Sequence, residues 1–312
     1  MSIMIIMKKR FSIIIISIIA CLLVVITILI IHYHRPKSLL VYNYKKHYSV
    51  IYDDYPQVSV KLWVNEKDNP YFDVSNIEKA VVTTDLDSYA VKISDASVQD
   101  ELSYYNEQAG YSASYTVKWD FVSDDLITMN NAVLNVYFKS NESLSINIGN
   151  LCFQKAVNNH VAKVSKIQSI VNDLGELDTM VAIKMVINSE EDCTLEQIIP
   201  ISSSITINND YLLVNSNKEI DNETSYTEIF GAAYSPFNNS STNFNTIVLN
   251  KKINTELVIP LAYSEKEFVD SLGFILVFNT SHGIVKQIVN PYCLFSTANL
   301  GYVSYEYKIV AN

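Results

Sequence analysis

The chain has 312 residues, of which 49% are hydrophobic and 18% are charged, and its formal net charge is −10. This apolar content is sufficient for a packed core and excludes an intrinsically disordered chain, and the length favours two domains. The acidic balance argues against nucleic acid as a partner, and four cysteines are too few for a disulfide scaffold.

The first predicted element is an uncharged apolar stretch over residues 11–31, which is dominated by Ile, Leu and Val. As a helix it would be about 31 Å long, which matches the hydrocarbon core of a bilayer. A secretory signal peptide has a shorter apolar region and ends at a small-residue cleavage site, whereas this stretch continues into His32. The sequence therefore predicts an uncleaved transmembrane signal-anchor helix at 11–31, with the lipid bilayer as its partner.

A cluster of positive charge, Lys8 to Arg10, flanks this helix on the N-terminal side. Long domains cross the membrane largely regardless of charge, so this cluster is expected to set the orientation. We therefore expect residues 1–10 to be a cytoplasmic tail and the C-terminal body to be extracellular. A lipobox ending at Cys21 is the alternative, but the apolar stretch continues after that cysteine to Ile31.

The next segment, residues 32–56, is rich in Tyr, Lys and His and shows no clean periodicity, which predicts a juxtamembrane stalk. Residues 1–37 carry five positive charges and no acidic residue, so the remainder of the chain has a formal net charge of −15. This remainder is expected to repel anionic lipid and polyanions. Ordinary solubility charge on an exposed domain is the simpler explanation.

From about Gln57 onward the dominant pattern is the alternation of apolar and polar residues that is typical of half-buried strands. The clearest example is 111–122, where one face is apolar and the other is mainly polar. The same alternation marks 58–64, 181–187 and 303–309. Shorter apolar runs predict further strands at 80–83, 89–93, 132–138, 144–148, 205–207, 246–249, 257–261, 274–278 and 284–289.

Helical patterns are few. Residues 97–108 and 264–271 are expected to form short helices, the second because its first residue precedes Glu267 at capping-box spacing. Many short strands with little helix indicate an all-β fold of sandwiches or barrels. We predict two tandem β-sandwich (Ig-like) domains, at 57–158 and 159–312.

The two halves also share one local pattern. Hairpin-like units that contain Phe138 and Phe278 end near Cys152 and Cys293. Duplication of a sandwich explains this spacing, and chance similarity is an equal alternative. If the halves are duplicates, the two cysteines occupy equivalent places in separate domains and do not meet, although three cysteines outside the membrane permit one disulfide.

The segment 215–246 is polar and rich in Asn and Ser, which predicts long loops around a short strand. Loops on a rigid scaffold are where binding residues are often found. Exposed aromatic residues, with Tyr104 and Tyr105 as candidates together with Tyr302, Tyr305 and Tyr307, could stack on sugars or anchor a protein. The alternative is that tyrosine simply suits a half-buried strand.

No catalytic, metal-binding or nucleotide-binding motif occurs, so we predict no catalytic residue, no cofactor and no metal. His32 and His34 form an H-x-H pattern at the membrane edge, but no second ligand cluster follows at zinc-site spacing. Acidic clusters occur at 53–54, 85–87, 124–125 and 190–192. Paired carboxylates could serve glycoside hydrolysis or bind calcium, but solvated turn residues are the simpler interpretation.

The expected function is therefore that of a single-pass membrane-anchored extracytoplasmic protein, a non-catalytic binding or assembly module of the cell envelope with a protein or glycan partner. One alternative is an accessory subunit of a membrane transporter or secretion complex, and another is an anchored envelope enzyme that acts on glycan. Ile, Asn and Lys are abundant and only two arginines occur, which indicates an AT-rich genome. A low-GC Gram-positive bacterium fits this usage, with a parasite or a large DNA virus as alternatives.

Overall fold

The structure is a computed structural model. It describes residues 40–44, 46–105, 108–157, 159–173, 178–221, 224–237, 243–264, 268–293, 304–308 and 310–311. In that part of the chain no helix is long and apolar enough to cross a membrane, and the predicted anchor at 11–31 lies outside it.

The N-terminal part of the described chain consists of strands joined by short connections. They are β1 (Leu40–Tyr44), β2 (Lys46–Tyr52), β3 (Gln57–Val64), β4 (Ile77–Thr83), β5 (Ser88–Tyr105), β6 (Gln108–Trp119), β7 (Ile127–Phe138) and β8 (Glu142–Lys155). Two single 3-10 turns, Pro70–Phe72 and Val74–Asn76, connect β3 to β4.

The C-terminal part is also built mainly from strands. They are β9 (Ala162–Asp173), β10 (Asp178–Ser189), β11 (Cys193–Pro200), β12 (Ile205–Ile207), β13 (Leu213–Val214), β14 (Ile247–Leu249), β15 (Asn254–Tyr263), β16 (Phe268–Thr280), β17 (Gly283–Cys293), β18 (Ser304–Lys308) and β19 (Val310–Ala311). A 3-10 turn at Asn209–Tyr211 and a short helix, α1 (Tyr226–Phe230), complete the described elements.

These strands form two sheets, which confirms the prediction of a mainly β fold. The large sheet has the order β14-β11-β16-β2-β8-β7-β4-β5-β6-β3-β1-β18, with β17 paired to β16 and β19 paired to β8. The small sheet has the order β12-β15-β10-β9, with β13 paired to β15. Strands from both parts of the chain thus share one continuous sheet.

Strand β2 joins the two parts of the large sheet. It pairs in parallel with β8 over its full length, and its other edge pairs in parallel with the start of β16, where His47 lies opposite Val269. Residues 46–52 therefore lie inside the sheet. The predicted stalk over 32–56 is wrong for this segment.

The sequence of β2 lacks alternation because both of its faces are buried. Tyr48 and Tyr52 pack into the core of the N-terminal part. His47 and Ser49 point to the other face, and both are also buried. A strand that has neighbours on both edges and cover on both faces has no wet side, so the period-two signal disappears.

The core divides into two large clusters. The first lies among strands β2 to β8 and contains Tyr115, Trp119 and Phe153, whose side chains are fully buried. The second lies between the two sheets, where Phe274 and Phe278 of the large sheet meet β10 and β15 of the small one. Because the small sheet packs face to face on part of the large sheet, the C-terminal part has the layering of a β-sandwich.

The described part of the segment 215–246, which was predicted to be long loops around a short strand, covers the outer face of the small sheet. Ile220 and Ile229 pack with Val258 in a third apolar cluster. The hydroxyl of Tyr234 donates to the carbonyl of Leu261 at 2.6 Å. The described part of this segment is therefore structural cover, and its helix α1 is an element that the sequence interpretation missed.

Two predicted helices are wrong. Most of 97–108 belongs to β5, which continues as a long antiparallel hairpin with β6 until Tyr105 pairs with Gln108. Residues 268–271 of the second begin β16, and residues 265–267 lie outside the described chain. In both places the cross-strand hydrogen bonds outweigh weak local helix propensity. The capping-box spacing does occur at α1, where Glu228 accepts from the backbone N–H of Ser225 at 3.3 Å.

The cysteines occupy comparable places in two hairpins. Cys152 lies ten residues after the first residue of β8, and Cys293 lies ten residues after the first residue of β17. Because β2 and β16 lie between those strands, the two cysteines are separated by about 14 Å, which is too far for a disulfide. Cys193 is a buried free thiol. The duplication hypothesis and the domain boundaries at 57–158 and 159–312 stay predictions.

The contact between β2 and β8 depends on a residue without a side chain. Gly149 has a φ of +92°, and a Cβ at this position would lie 2.2 Å from the backbone carbonyl oxygen of Lys46. We expect Gly149→Ala to reduce the free energy of unfolding by at least about 4 kcal/mol, because neither backbone can move without breaking the ladder. Urea denaturation of the detergent-solubilised protein measures this loss.

Gly283→Ala is the matched control, because Gly283 also has a positive φ, +110°, but among the described residues only Gly283 and its two chain neighbours come within 4 Å of the position that a Cβ would take there. Its expected loss is about 1–2 kcal/mol from backbone strain alone. Equal losses for the two variants would contradict the proposed close approach of β8 to β2.

Candidate functional site

A buried polar cluster lies where β2 meets the C-terminal part. The hydroxyl of Ser49 donates to the carbonyl of Ile201 at 2.6 Å, and Nε2 of His47 lies 3.2 Å from the same oxygen. The hydroxyl of Ser271 donates to the carbonyl of Ser49 and accepts from its N–H, both at 3.1 Å. These bonds tie the two parts of the large sheet together.

This cluster has the residue types of a nucleophilic pair but not its geometry. A carbonyl oxygen only accepts, so Nε2 of His47 carries the proton and cannot receive one from Ser49. The hydroxyl of Ser49 is committed to Ile201. Burial lowers the pKa of His47 to about 4, and the hydrogen bond to the Ile201 carbonyl opposes this shift. The cluster is therefore suited to holding strands together.

The acidic clusters that were considered as catalytic or calcium sites all lie in connections between strands. Asp124 forms an ion pair with Lys155 at 2.8 Å. Asp85 accepts from the side chain of Asn131 at 3.1 Å, and Asp192 accepts from a backbone N–H at 2.7 Å. Within the described ranges, no group of three or more His, Cys, Asp or Glu side chains is arranged to hold a metal ion.

One cavity, of about 570 Å³, lies at the junction of the two parts. Ile51, Val157, Ile167 and Ile288 are among its apolar lining. Its wall includes Gln287, whose amide oxygen accepts from the backbone N–H groups of Val161, just before β9, and Ala162, the first residue of β9, at 2.8 and 3.0 Å. The cavity is thus bounded by Gln287 and by the segment between β8 and β9, which Gln287 holds in place.

A second cavity, of about 420 Å³, is a groove at the open end of the hairpin formed by β5 and β6, where β5 begins and β6 ends. Lys92 and Lys118 are directly opposite each other in this ladder and both line the groove. The ammonium group of Lys118 lies 4.7 Å from the centre of the Tyr55 ring, which is a cation–π contact. Tyr55 is 45% exposed, so part of its ring faces solvent.

The groove is held by rigid elements. The backbone N–H of Trp119, the last residue of β6, donates to the carbonyl of Pro56 at 3.0 Å, which fixes the position of the neighbouring Tyr55. The Trp119 ring packs on Phe153 in the core, with ring centres 4.9 Å apart. The strands and the core beneath them therefore fix the backbone positions that carry the polar side chains of the groove.

The sequence interpretation did not select Tyr55, Lys92 or Lys118. The alternation of β6 does place Lys118 on the wet face, but only the register of β5 against β6 brings Lys92 beside it. Tyr104 and Tyr105 lie at the tip of the same hairpin. Tyr305 and Tyr307 lie in β18, and Tyr302 lies outside the described residues.

No family model matches the chain, and no curated protein matches it. Among solved structures, it is similar to a protein of unknown function from Porphyromonas gingivalis W83, with 10% identity over 81% of this chain and 99% of that chain and a TM-score of 0.22. It is also similar to the C-terminal domain of the Streptococcus agalactiae AgI/II polypeptide BspA, with 8% identity, coverage of 79% and 95%, and a TM-score of 0.19. The D00-D0 domain of Intimin matches with 10% identity, coverage of 82% and 100%, and a TM-score of 0.17. At TM-scores this low we draw no inference from these likenesses.

The buried His47 predicts a specific pH dependence of stability. Its pKa is about 4 in the folded chain against 6.5 when exposed, so the unfolded chain binds the proton more readily. This contribution to stability is complete above pH 6.5 and is lost as the pH falls towards 4, for a total of about 3 kcal/mol. Urea unfolding between pH 7.5 and 4, followed by tryptophan fluorescence, measures it.

The comparison with His47→Gln isolates this histidine from the carboxylates, which also titrate in acid. The variant should lose about 3 kcal/mol less than the wild type over this range. His282→Gln, at an exposed turn, is the control and should follow the wild type. If the curves of His47→Gln and the wild type are parallel, His47 is not the buried neutral group described above.

Proposed function

We propose that this chain is a single-pass membrane-anchored protein whose body lies outside the cytoplasm and acts as a non-catalytic binding module of the cell envelope. The apolar stretch at 11–31 supports the anchor, and the positive charge before it supports the orientation. We further propose that the body has Ig-like sandwich character, which the face-to-face packing of the two sheets supports.

The observation that carries the binding function is the groove at Tyr55, Lys92 and Lys118. It combines an exposed aromatic ring with two cationic side chains on rigid strands, which are the features of a recognition surface. The ring presents a large contact area that loses little conformational entropy on binding, and the lysines supply hydrogen-bond donors.

The placement of the strongly shifted ionisable groups also supports binding over catalysis. Burial lowers the pKa of His47 to about 4 and raises the pKa of Tyr71, Tyr115 and Tyr234. None of these four residues lines the groove or the junction cavity. Reaction centres usually place such groups in an accessible cleft.

The proposed topology is tested by trypsin treatment of intact cells. Lys251 and Lys252 lie in an exposed turn between β14 and β15, and we expect cleavage there because exposed turns are preferred sites of proteolysis. The body should be cut in intact cells while a cytoplasmic marker protein stays intact. A body that survives in intact cells but is cut after lysis would show the opposite orientation.

The proposed binding function is tested with the full-length protein in uncharged detergent and detergent-extracted cell-wall fragments. We expect the protein to co-sediment with the fragments, and Tyr55→Ala to weaken this binding by about tenfold, because the exposed ring is lost. Leu86→Ala, a truncation at a turn residue that is 91% exposed, is the control and should bind like the wild type. Absence of co-sedimentation for the wild type would refute an envelope-binding function.

A further inference from the structure

Two side chains that can only donate hydrogen bonds line the groove. They are the ammonium groups of Lys92 and Lys118. Lys92 is exposed and Lys118 is half-buried. Neither side chain can accept a hydrogen bond, so the pair favours a ligand that presents acceptors.

Lys92 and Lys118 place two positive charges on directly opposite residues of the ladder. Like charges on directly opposite residues of an antiparallel pair destabilise the sheet. Among the described residues, neither Lys92 nor Lys118 forms an ion pair, and the contact of Lys118 is with the Tyr55 ring. An anionic group held between the two ammonium groups would remove this repulsion and form charge-assisted hydrogen bonds with both.

The other lining groups complement a sugar. The Tyr55 ring is 45% exposed, so part of it is available to pack against a pyranose ring. Asp120 is an exposed acceptor and Ser94 an exposed hydroxyl, and both line the groove. Sugar hydroxyl groups can donate to both, since the Ser94 hydroxyl itself donates to the carbonyl of Thr116 at 3.3 Å.

We propose that this groove binds an acidic saccharide, a sugar ring that carries one carboxylate or phosphate group. The anion lies between Lys92 and Lys118, and the ring packs on Tyr55. The proposal rests on the proposed binding function and names the ligand class for the same site. The net charge of −10 opposes long polyanions, but charges beyond about 8 Å are screened at physiological salt, so a short ligand with one anion is favoured.

Calorimetric titration of the full-length protein in uncharged detergent tests this with three disaccharides of matched shape. Cellobiose is neutral, cellobiouronic acid carries a carboxylate, and cellobiose 6′-phosphate carries a phosphate. We expect at least one acidic disaccharide to bind about tenfold more tightly than cellobiose, and the preference to weaken as salt rises. Comparison of the two acidic ligands shows which anion the groove prefers.

Paired variants locate the anion. Lys92→Gln/Lys118→Gln should remove the preference for the acidic disaccharide, and Lys92→Arg/Lys118→Arg should retain it because the charge is kept. Lys251→Gln/Lys252→Gln changes the net charge equally at a distant exposed turn and should alter the affinity by less than about twofold.

The outcomes separate the two proposals. If the wild type binds none of the acidic disaccharides better than cellobiose, or if both Gln pairs weaken binding equally, the acidic-saccharide proposal is overturned. If in addition the wild type still co-sediments with wall fragments, the binding function stands with another ligand. If neither the disaccharides nor the fragments bind, both proposals fail.

Discussion

The fold depends on the insertion of β2, in parallel, between β8 and β16. A strand in the middle of a sheet must satisfy hydrogen bonds on both edges, so seven residues hold strands from the two parts of the chain in one sheet. The absence of a side chain at Gly149 lets β8 approach β2, and the buried bonds of Ser49 and Ser271 fix the other edge. These features bring the backbone of β2 into close contact with the backbone of β8 and hold it against β16.

The same insertion explains why a histidine is buried without charge. His47 lies on the face of β2 that meets the C-terminal part, where a cation would lose its hydration. The imidazole of His47 therefore stays neutral until the pH is well below the usual pKa of histidine. The groove lies elsewhere, at the end of the β5–β6 hairpin, and most of its residues are exposed or half-buried. Structural polar groups and recognition groups are thus separated in this molecule.

Local alternation predicted the strands that have one wet face. The predicted strand at 205–207 matches β12, and the predicted 58–64 lies within β3, because buried and exposed side chains alternate along β12 and along most of β3. Prediction failed for β2, which is buried on both faces, and for the far half of β5, which is a strand because β6 pairs with it. Of the candidate site, the sequence showed that Lys118 faces water, but the pairing with Lys92 depends on register between strands.

The sequence by itself determined that the body is built mainly of strands and that an uncharged apolar stretch lies at 11–31. Both are properties of neighbouring residues, so they can be read from short windows of the chain. Only the tertiary structure decided that residues 46–52 join two parts of one sheet, that the described part of 215–246 covers the small sheet, and that Lys92 faces Lys118. The physical reason is that backbone hydrogen bonds between strands are nearly independent of side-chain identity, so the choice of partner and register depends on the packing of the whole core.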